Sequence, residues 1–142
     1  MLFRSETDFP AKVFLPGYHH QSKPDPALLQ EAAALLQQSK RPLLYYGGGC
    51  IAAGAHEVAK AFAEKLRAPV TNTLLGKGSF PEQHDLSVGM LGMHGTAYAN
   101  KAVIHCDLIM SIGGRWDDRI TGKLAEFCPN AKKIHVDIDP AE

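Results

Sequence analysis

The 142-residue chain has only three cysteines, Cys50, Cys106 and Cys128, widely spaced and without a Cys-x-x-Cys pair. That excludes a disulfide framework and argues against a structural zinc site, so no metal is expected and a reducing, cytoplasmic setting fits best. An excess of charge is missing too: 15 Lys and Arg balance 15 Asp and Glu, with no run of like charge. A nucleic-acid or anionic-membrane partner is therefore not expected, and recognition has to be local. The N-terminus lacks the basic-then-apolar pattern of a secretory signal, and no apolar run approaches the length of a bilayer span, so the chain reads as soluble.

Sustained periodicity is absent from residues 1–25, where Pro10, Pro16, Gly17 and Pro24 fall without order. This stretch reads as a linker arm from an upstream domain, and residues 26–142 as one domain long enough to bury a core. Asp25 can cap and Pro26 can open a helix whose Leu28, Leu29, Ala32, Leu35 and Leu36 share one face. Residues 43–46 form a short apolar run closed by Gly47-Gly48-Gly49, the pattern of a buried parallel strand. A helix is predicted over 52–66 with Val58, Ala61, Phe62 and Leu66 inward, then a strand over 69–73 and a loop over 74–85. A helix capped by Gly95 or Thr96 follows, then a strand over 108–112, a short helix near 122–127 and a strand over 133–138. The alternation predicts an α/β fold: a doubly wound, Rossmann-like parallel sheet in three α/β/α layers.

In such sheets ligands lie beyond the carboxyl ends of the strands. Those ends carry Gly47-Gly48-Gly49, Thr73-Leu74-Leu75-Gly76, Gly113-Gly114-Arg115 and Asp137-Ile138. The stretch Gly89-Met90-Leu91-Gly92-Met93-His94-Gly95-Thr96 joins them: its glycines allow close approach to a guest, and Met93 can lie against a flat ring. Glycine turns and helix starts offer backbone N–H groups to a pyrophosphate, and Arg115 adds a cation. The candidate ligand is a dinucleotide. The commonest one is disfavoured, because Gly47 and Gly49 are followed by Ala52 rather than a third glycine, and the second strand ends Thr71-Asn72-Thr73 without an acid for ribose.

Other constellations carry less. Asp117-Asp118 next to Arg119 reads as an ion-paired surface group before it reads as a metal or acid–base pair. His19, His20 and His56 read as solvated, and His105 and His135 as satisfied core histidines. His94 stays a site candidate. No Gly-x-Ser-x-Gly elbow is present for a serine nucleophile.

At Arg41-Pro42-Leu43-Leu44-Tyr45-Tyr46-Gly47-Gly48-Gly49-Cys50, Met90-Leu91-Gly92-Met93-His94-Gly95-Thr96, Gly114-Arg115-Trp116-Asp117-Asp118-Arg119 and Ile134-His135-Val136-Asp137-Ile138-Asp139-Pro140-Ala141-Glu142, the chain resembles the central domain of the acetolactate synthase catalytic subunit. The likeness begins near Leu15-Pro16-Gly17-Tyr18. It implies a domain that holds FAD within an enzyme joining two 2-oxo acids with loss of carbon dioxide, in branched-chain amino-acid biosynthesis. FAD is required there structurally; thiamine diphosphate and Mg2+ lie between flanking domains, whose activating glutamate region and Gly-Asp-Gly motif do not occur in this sequence. The resemblance implies FAD contacts at Gly48, Thr73, Leu74, Leu75, Gly76, Leu91, Gly92, Met93, His94, Gly113, Gly114, Arg115, Trp116, Asp117, Asp137 and Ile138. Asp118 and Arg119 would border the substrate channel, and no catalytic residue is expected in this chain. Trp116 departs from the Phe usual in the family. Implied partners are flanking domains of the same polypeptide, a homo-oligomer and a regulatory subunit; the implied setting is the cytoplasm, or a plastid in a plant. A stand-alone dinucleotide module is the reading from another class, and pyruvate oxidase and glyoxylate carboligase are the related flavin and thiamine enzymes.

Overall fold

The structure, a computed structural model, describes residues 23–139 apart from Leu124, together with Lys12. The greater part of the predicted arm, with His19 and His20, therefore lies outside the described residues, as do Pro140, Ala141 and Glu142. In chain order the elements are α1 (Pro26–Gln38), β1 (Pro42–Tyr46), α2 (Gly48–Ala52), α3 (His56–Leu66), β2 (Val70–Asn72), β3 (Ser87–Met90), α4 (Ala97–His105), β4 (Leu108–Ile112), α5 (Asp118–Thr121) and β5 (Lys132–Val136).

The five strands form one parallel sheet in the order β3-β2-β1-β4-β5. β1 lies at its centre, with Leu44 opposite both Val70 and Met110. Alternate residues of a strand face opposite sides. Leu44 and Tyr46 meet Ala59 and Ala63 of α3, with Ala32, Leu35 and Leu36 of α1 beside them. Leu43 and Tyr45 meet Ala99 and Val103 of α4 together with Phe127 and Cys128. Two cores on one sheet explain the unbroken apolar run of β1 and give the expected three layers. Each fully buried leucine there contributes roughly 1.5–3 kcal/mol.

The helix ends follow local chemistry. Asp25 accepts from the Ala27 N–H at 2.8 Å before Pro26, and Thr96 accepts from the Ala99 N–H at 3.1 Å. Asp107, just before β4, accepts from the Ser39 hydroxyl, from the Lys40 N–H at 2.8 Å and from the Arg41 N–H at 3.0 Å, tying the end of α1 to the sheet.

Several boundaries differ from expectation. The helix predicted over 52–66 is two helices, α2 beginning at Gly48 and α3 at His56, with Gly54 at φ +61° between them. Its inner face is Ala59, Phe62, Ala63 and Leu66, while Val58 is 73 % exposed and Ala61 is exposed. The small alanines bring α3 close to the sheet, where the Tyr46 hydroxyl donates to the Ala59 carbonyl at 2.9 Å. Ser87–Met90 is an edge strand, hidden from the sequence by its glycine. The helix expected at 122–127 forms instead at Asp118–Thr121, because Asp117 accepts from the Arg119 and Ile120 N–H groups and starts it. β5 stops at Val136, two residues early, and as an edge strand it leaves Val136 and Ile138 exposed rather than covered. On α1, Leu28 and Leu29 are likewise exposed, so the packed stripe narrows to Ala32, Leu35 and Leu36. His105 is exposed on α4, not a core histidine.

Candidate functional site

β1 continues on one side into β2 and β3, whereas β4 and β5 lie on its other side. The strand order therefore reverses between β1 and β4, and a crevice is expected beyond their carboxyl ends. One of about 790 Å³ is there, within the range of small-molecule sites. Its lining comes from four segments: Tyr45, Gly48 and Gly49; Thr73, Leu74 and Leu75; Met90, Leu91, Met93 and His94; and Gly113, Gly114, Arg115, Asp117, Arg119 and Ile120.

The glycine turns after β1 and β4 are built against each other. A Cβ on Gly47 would lie 2.0 Å from the Gly113 carbonyl oxygen, and Gly49 N–H donates to that oxygen at 2.9 Å. Close approach here is of backbone to backbone, so the packing of the two turns by itself requires glycine at Gly47. Beyond β4 the Gly114 carbonyl accepts from the Ser111 hydroxyl at 2.7 Å and the His135 Nε2 at 2.9 Å. His135 thus anchors the loop that carries Arg115, a role its place in an apolar run did not reveal.

Asn72 stands where a nicotinamide-binding sheet carries its ribose acid. Buried at the end of β2, it donates to the Gly76 carbonyl at 3.2 Å and the Ser79 hydroxyl at 2.9 Å, while Gly76 N–H donates to Thr73 Oγ1 at 2.8 Å. These bonds fix the turn that presents Leu74 and Leu75, which are 68 % and 78 % exposed. On the facing segment Met93 is 79 % exposed, and Asn100 of α4 clamps the loop by bonding both the Gly92 N–H and the Gly92 carbonyl at 3.3 Å. Arg115 is exposed at the rim, and no ion pair among the described residues uses it.

Of the residues expected at the site, Gly48, Thr73, Leu74, Leu75, Leu91, Met93, His94, Gly113, Gly114, Arg115, Asp117 and Arg119 share this crevice. Gly76, Gly92, Trp116, Asp118, Asp137 and Ile138 do not line it. Gly92, at φ +103°, shapes the loop from behind. Trp116 turns under its loop, stacked on Tyr45 at 5.6 Å and edge-on to Phe127 and His135. Asp137 accepts the Asp139 N–H at 2.9 Å and so caps its own turn. Asp117 caps α5 instead of joining Asp118 and Arg119 in an ion pair. Tyr45 and Ile120 line the crevice without having been singled out, and Gly49 and Met90 line it from within the stretches read as facing a ligand. Among the described residues no cluster of three His, Cys, Asp or Glu side chains is placed to hold a metal, and no helix is long and apolar enough to cross a membrane.

A family model described as thiamine pyrophosphate enzyme, central domain, matches residues 29–142. The chain belongs to this family. The acetolactate synthase large subunit of Parasynechococcus marenigrum is 53 % identical over 133 residues, which cover 94 % of this chain and 22 % of that protein. That of Corynebacterium glutamicum is 50 % identical over 140 residues, covering 97 % and 22 %. Among solved structures, a Mycobacterium smegmatis protein provisionally described as a thiamin diphosphate-dependent enzyme superposes with a TM-score of 0.64 at 32 % identity, over 81 % of this chain and 22 % of that one. This thiamine pyrophosphate enzyme central domain thus spans about a fifth of the length of the relatives it matches. Its crevice sits at the strand-order reversal of a Rossmann-like sheet.

Proposed function

We propose that this central domain is the FAD-holding part of an acetolactate synthase large subunit. The supporting observation is the crevice at the β1–β4 reversal, where two glycine turns, the exposed Arg115 and three exposed apolar side chains converge. These residues fit a flavin dinucleotide. Gly48, Gly113 and Gly114 offer backbone where phosphates approach, Arg115 supplies positive charge, and Leu74, Leu75 and Met93 offer apolar surface to a flat ring. The missing ribose acid at Asn72 disfavours a nicotinamide dinucleotide. FAD in this reading gives structure rather than net electron transfer.

The parent activity, condensation of two 2-oxo acids with decarboxylation, would need thiamine diphosphate and Mg2+ held by other domains of a longer polypeptide. Those domains, a second copy and a regulatory subunit are the partners this reading implies, in the cytoplasm or a plastid. Titration of the chain with FAD and with NAD tests the reading: FAD should bind more tightly, weakly in absolute terms because part of the crevice is open to water. Met93→Ala should weaken FAD further. Tighter binding of NAD would return the site to dehydrogenase chemistry. With thiamine diphosphate, Mg2+ and FAD supplied, the chain should form no acetolactate from pyruvate; product from purified protein would show that the thiamine site has been misplaced.

A further inference from the structure

Across β1, β4 and β5 the register sets Tyr45 opposite Ser111 and Ser111 opposite His135. Residues opposite one another on neighbouring strands share a face of the sheet, so these three side chains form one row, on the side that α4 covers. The row meets the loop after β4 on both flanks of Arg115. Before Arg115, the Gly114 carbonyl accepts from the Ser111 hydroxyl at 2.7 Å and from His135 Nε2 at 2.9 Å. After it, the Trp116 ring is stacked on Tyr45 at 5.6 Å and set edge-on to His135 and Phe127. A carbonyl oxygen can only accept, so Nε2 carries the proton of this bond, and Asp137 Oδ2, 3.7 Å from the same nitrogen, is too far to take it. His135 thus touches both neighbours of Arg115. Gly114 is buried, whereas Arg115 is exposed and lines the crevice.

We infer that His135 is a positioning residue of the dinucleotide site: by holding the Gly114 carbonyl it sets the Arg115 guanidinium where a phosphate of the bound FAD meets it. This rests on the FAD reading above. His135 is not among the residues that line the crevice, so it acts through Arg115. A guanidinium binds a phosphate best through two parallel hydrogen bonds, which demands a fixed orientation. With the backbone held on both flanks, only the arginine side chain is left to be ordered when the phosphate arrives, and less conformational freedom is lost on binding.

The test is a double-mutant cycle on the full chain, with His135→Phe, Arg115→Ala and the pair combined. FAD affinity is read by quenching of flavin fluorescence, and the thermal midpoint of each ligand-free protein shows that it is folded. His135→Phe keeps a ring beside Trp116 and removes the donor. Arg115→Ala should weaken FAD about tenfold or more, the loss expected for a charged hydrogen-bond partner, and His135→Phe alone several-fold. In the Arg115→Ala background, His135→Phe should change FAD affinity by less than about twofold, because there is no guanidinium left to position. His135→Gln returns a donor where Nε2 stands, with Trp116 still held by Tyr45 and Phe127, and should bind FAD more tightly than His135→Phe. Where His135→Phe does not fold, His135→Asn, whose amide stops at the position of Nδ1, takes its place in the cycle. Equal losses from the His135 substitution with and without Arg115 would overturn the inference and leave the FAD reading standing, since His135 would then support the fold in general. Arg115→Ala binding FAD as tightly as the wild type, or His135→Gln binding no tighter than the variant without a donor, would overturn it as well. Failure of the wild type to bind FAD at all would remove both readings together.

Discussion

Between Gly47 and Gly113 there is no room for a single carbon atom. A Cβ at Gly47 would sit 2.0 Å from a backbone oxygen that cannot swing away, whereas at Gly48 its nearest neighbour would be the Leu75 Cβ, at 3.3 Å, on a loop side chain. Gly47→Ala should therefore destabilise the ligand-free chain by about 3 kcal/mol or more, and Gly48→Ala by less than about 1 kcal/mol. Urea unfolding of the two variants checks this, and equal losses would show that the two turns are not packed backbone to backbone. The same scale separates Asp137 from Asp139. Asp137 holds its own turn through the Asp139 N–H. Asp137→Ala should lower FAD affinity by about 1–3 kcal/mol if its carboxylate also meets the adenosine end. A fall confined to ligand-free stability would leave it only the turn.

Elements here are joined by single polar residues at their ends. Asp107 ties the end of α1 to the start of β4. Burial opposes ionisation, but the bonds from Ser39, Lys40 and Arg41 outweigh it and hold the carboxyl below its usual value of 3.8. A folded-state value below the unfolded one means a contribution fully present above the unfolded value and lost as pH falls through the folded one. Asp107→Asn should accordingly cost about 1 kcal/mol at pH 7, a modest figure because the site is partly open to water, and the gap to wild type should close as pH drops below about 4. A gap that stays constant down to pH 2 would show that the carboxylate charge is not what ties α1 down. Asp117 is the counterpart at the site, where its bonds to the Arg119 and Ile120 N–H groups begin α5 and set the far wall of the crevice. Replacing it by alanine should cost about 1 kcal/mol through the lost cap and weaken FAD by loosening Arg119 and Ile120, a change that Asp117→Asn should largely restore.

For the molecule as a whole, the crevice joins segments that start at residues 45, 73, 90 and 113, so filling it ties both sides of the sheet to one guest. FAD at about a hundredfold excess over its Kd should raise the unfolding free energy by about 2.7 kcal/mol. Differential scanning calorimetry of the chain with FAD and with NAD measures this, and a larger shift with NAD would contradict the proposed ligand. Among the described residues β3 and β5 are the outermost strands of the sheet, and Val58, Tyr98 and Ile138 are exposed at 73 %, 76 % and 66 %.

Much of this was legible from the chain alone, because it depends on residues close together in sequence. The apolar run of β1, the Asp25-Pro26 start of α1, the Thr96 cap of α4 and the gathering of unusual residues at strand ends all follow from local spacing and from the order of strands and helices. The family likeness rested on the same short runs. What the chain alone could not show depends on pairs far apart. Gly47 meets Gly113, His135 reaches the Gly114 carbonyl, and α3 is turned to bring Ala59 beside Tyr46. A glycine facing a ligand and one facing another glycine look alike in sequence, as do Tyr45 and Tyr46. Only packing the helices onto the two faces of the sheet decides which tyrosine finds a carbonyl and which is left at the wall of the crevice.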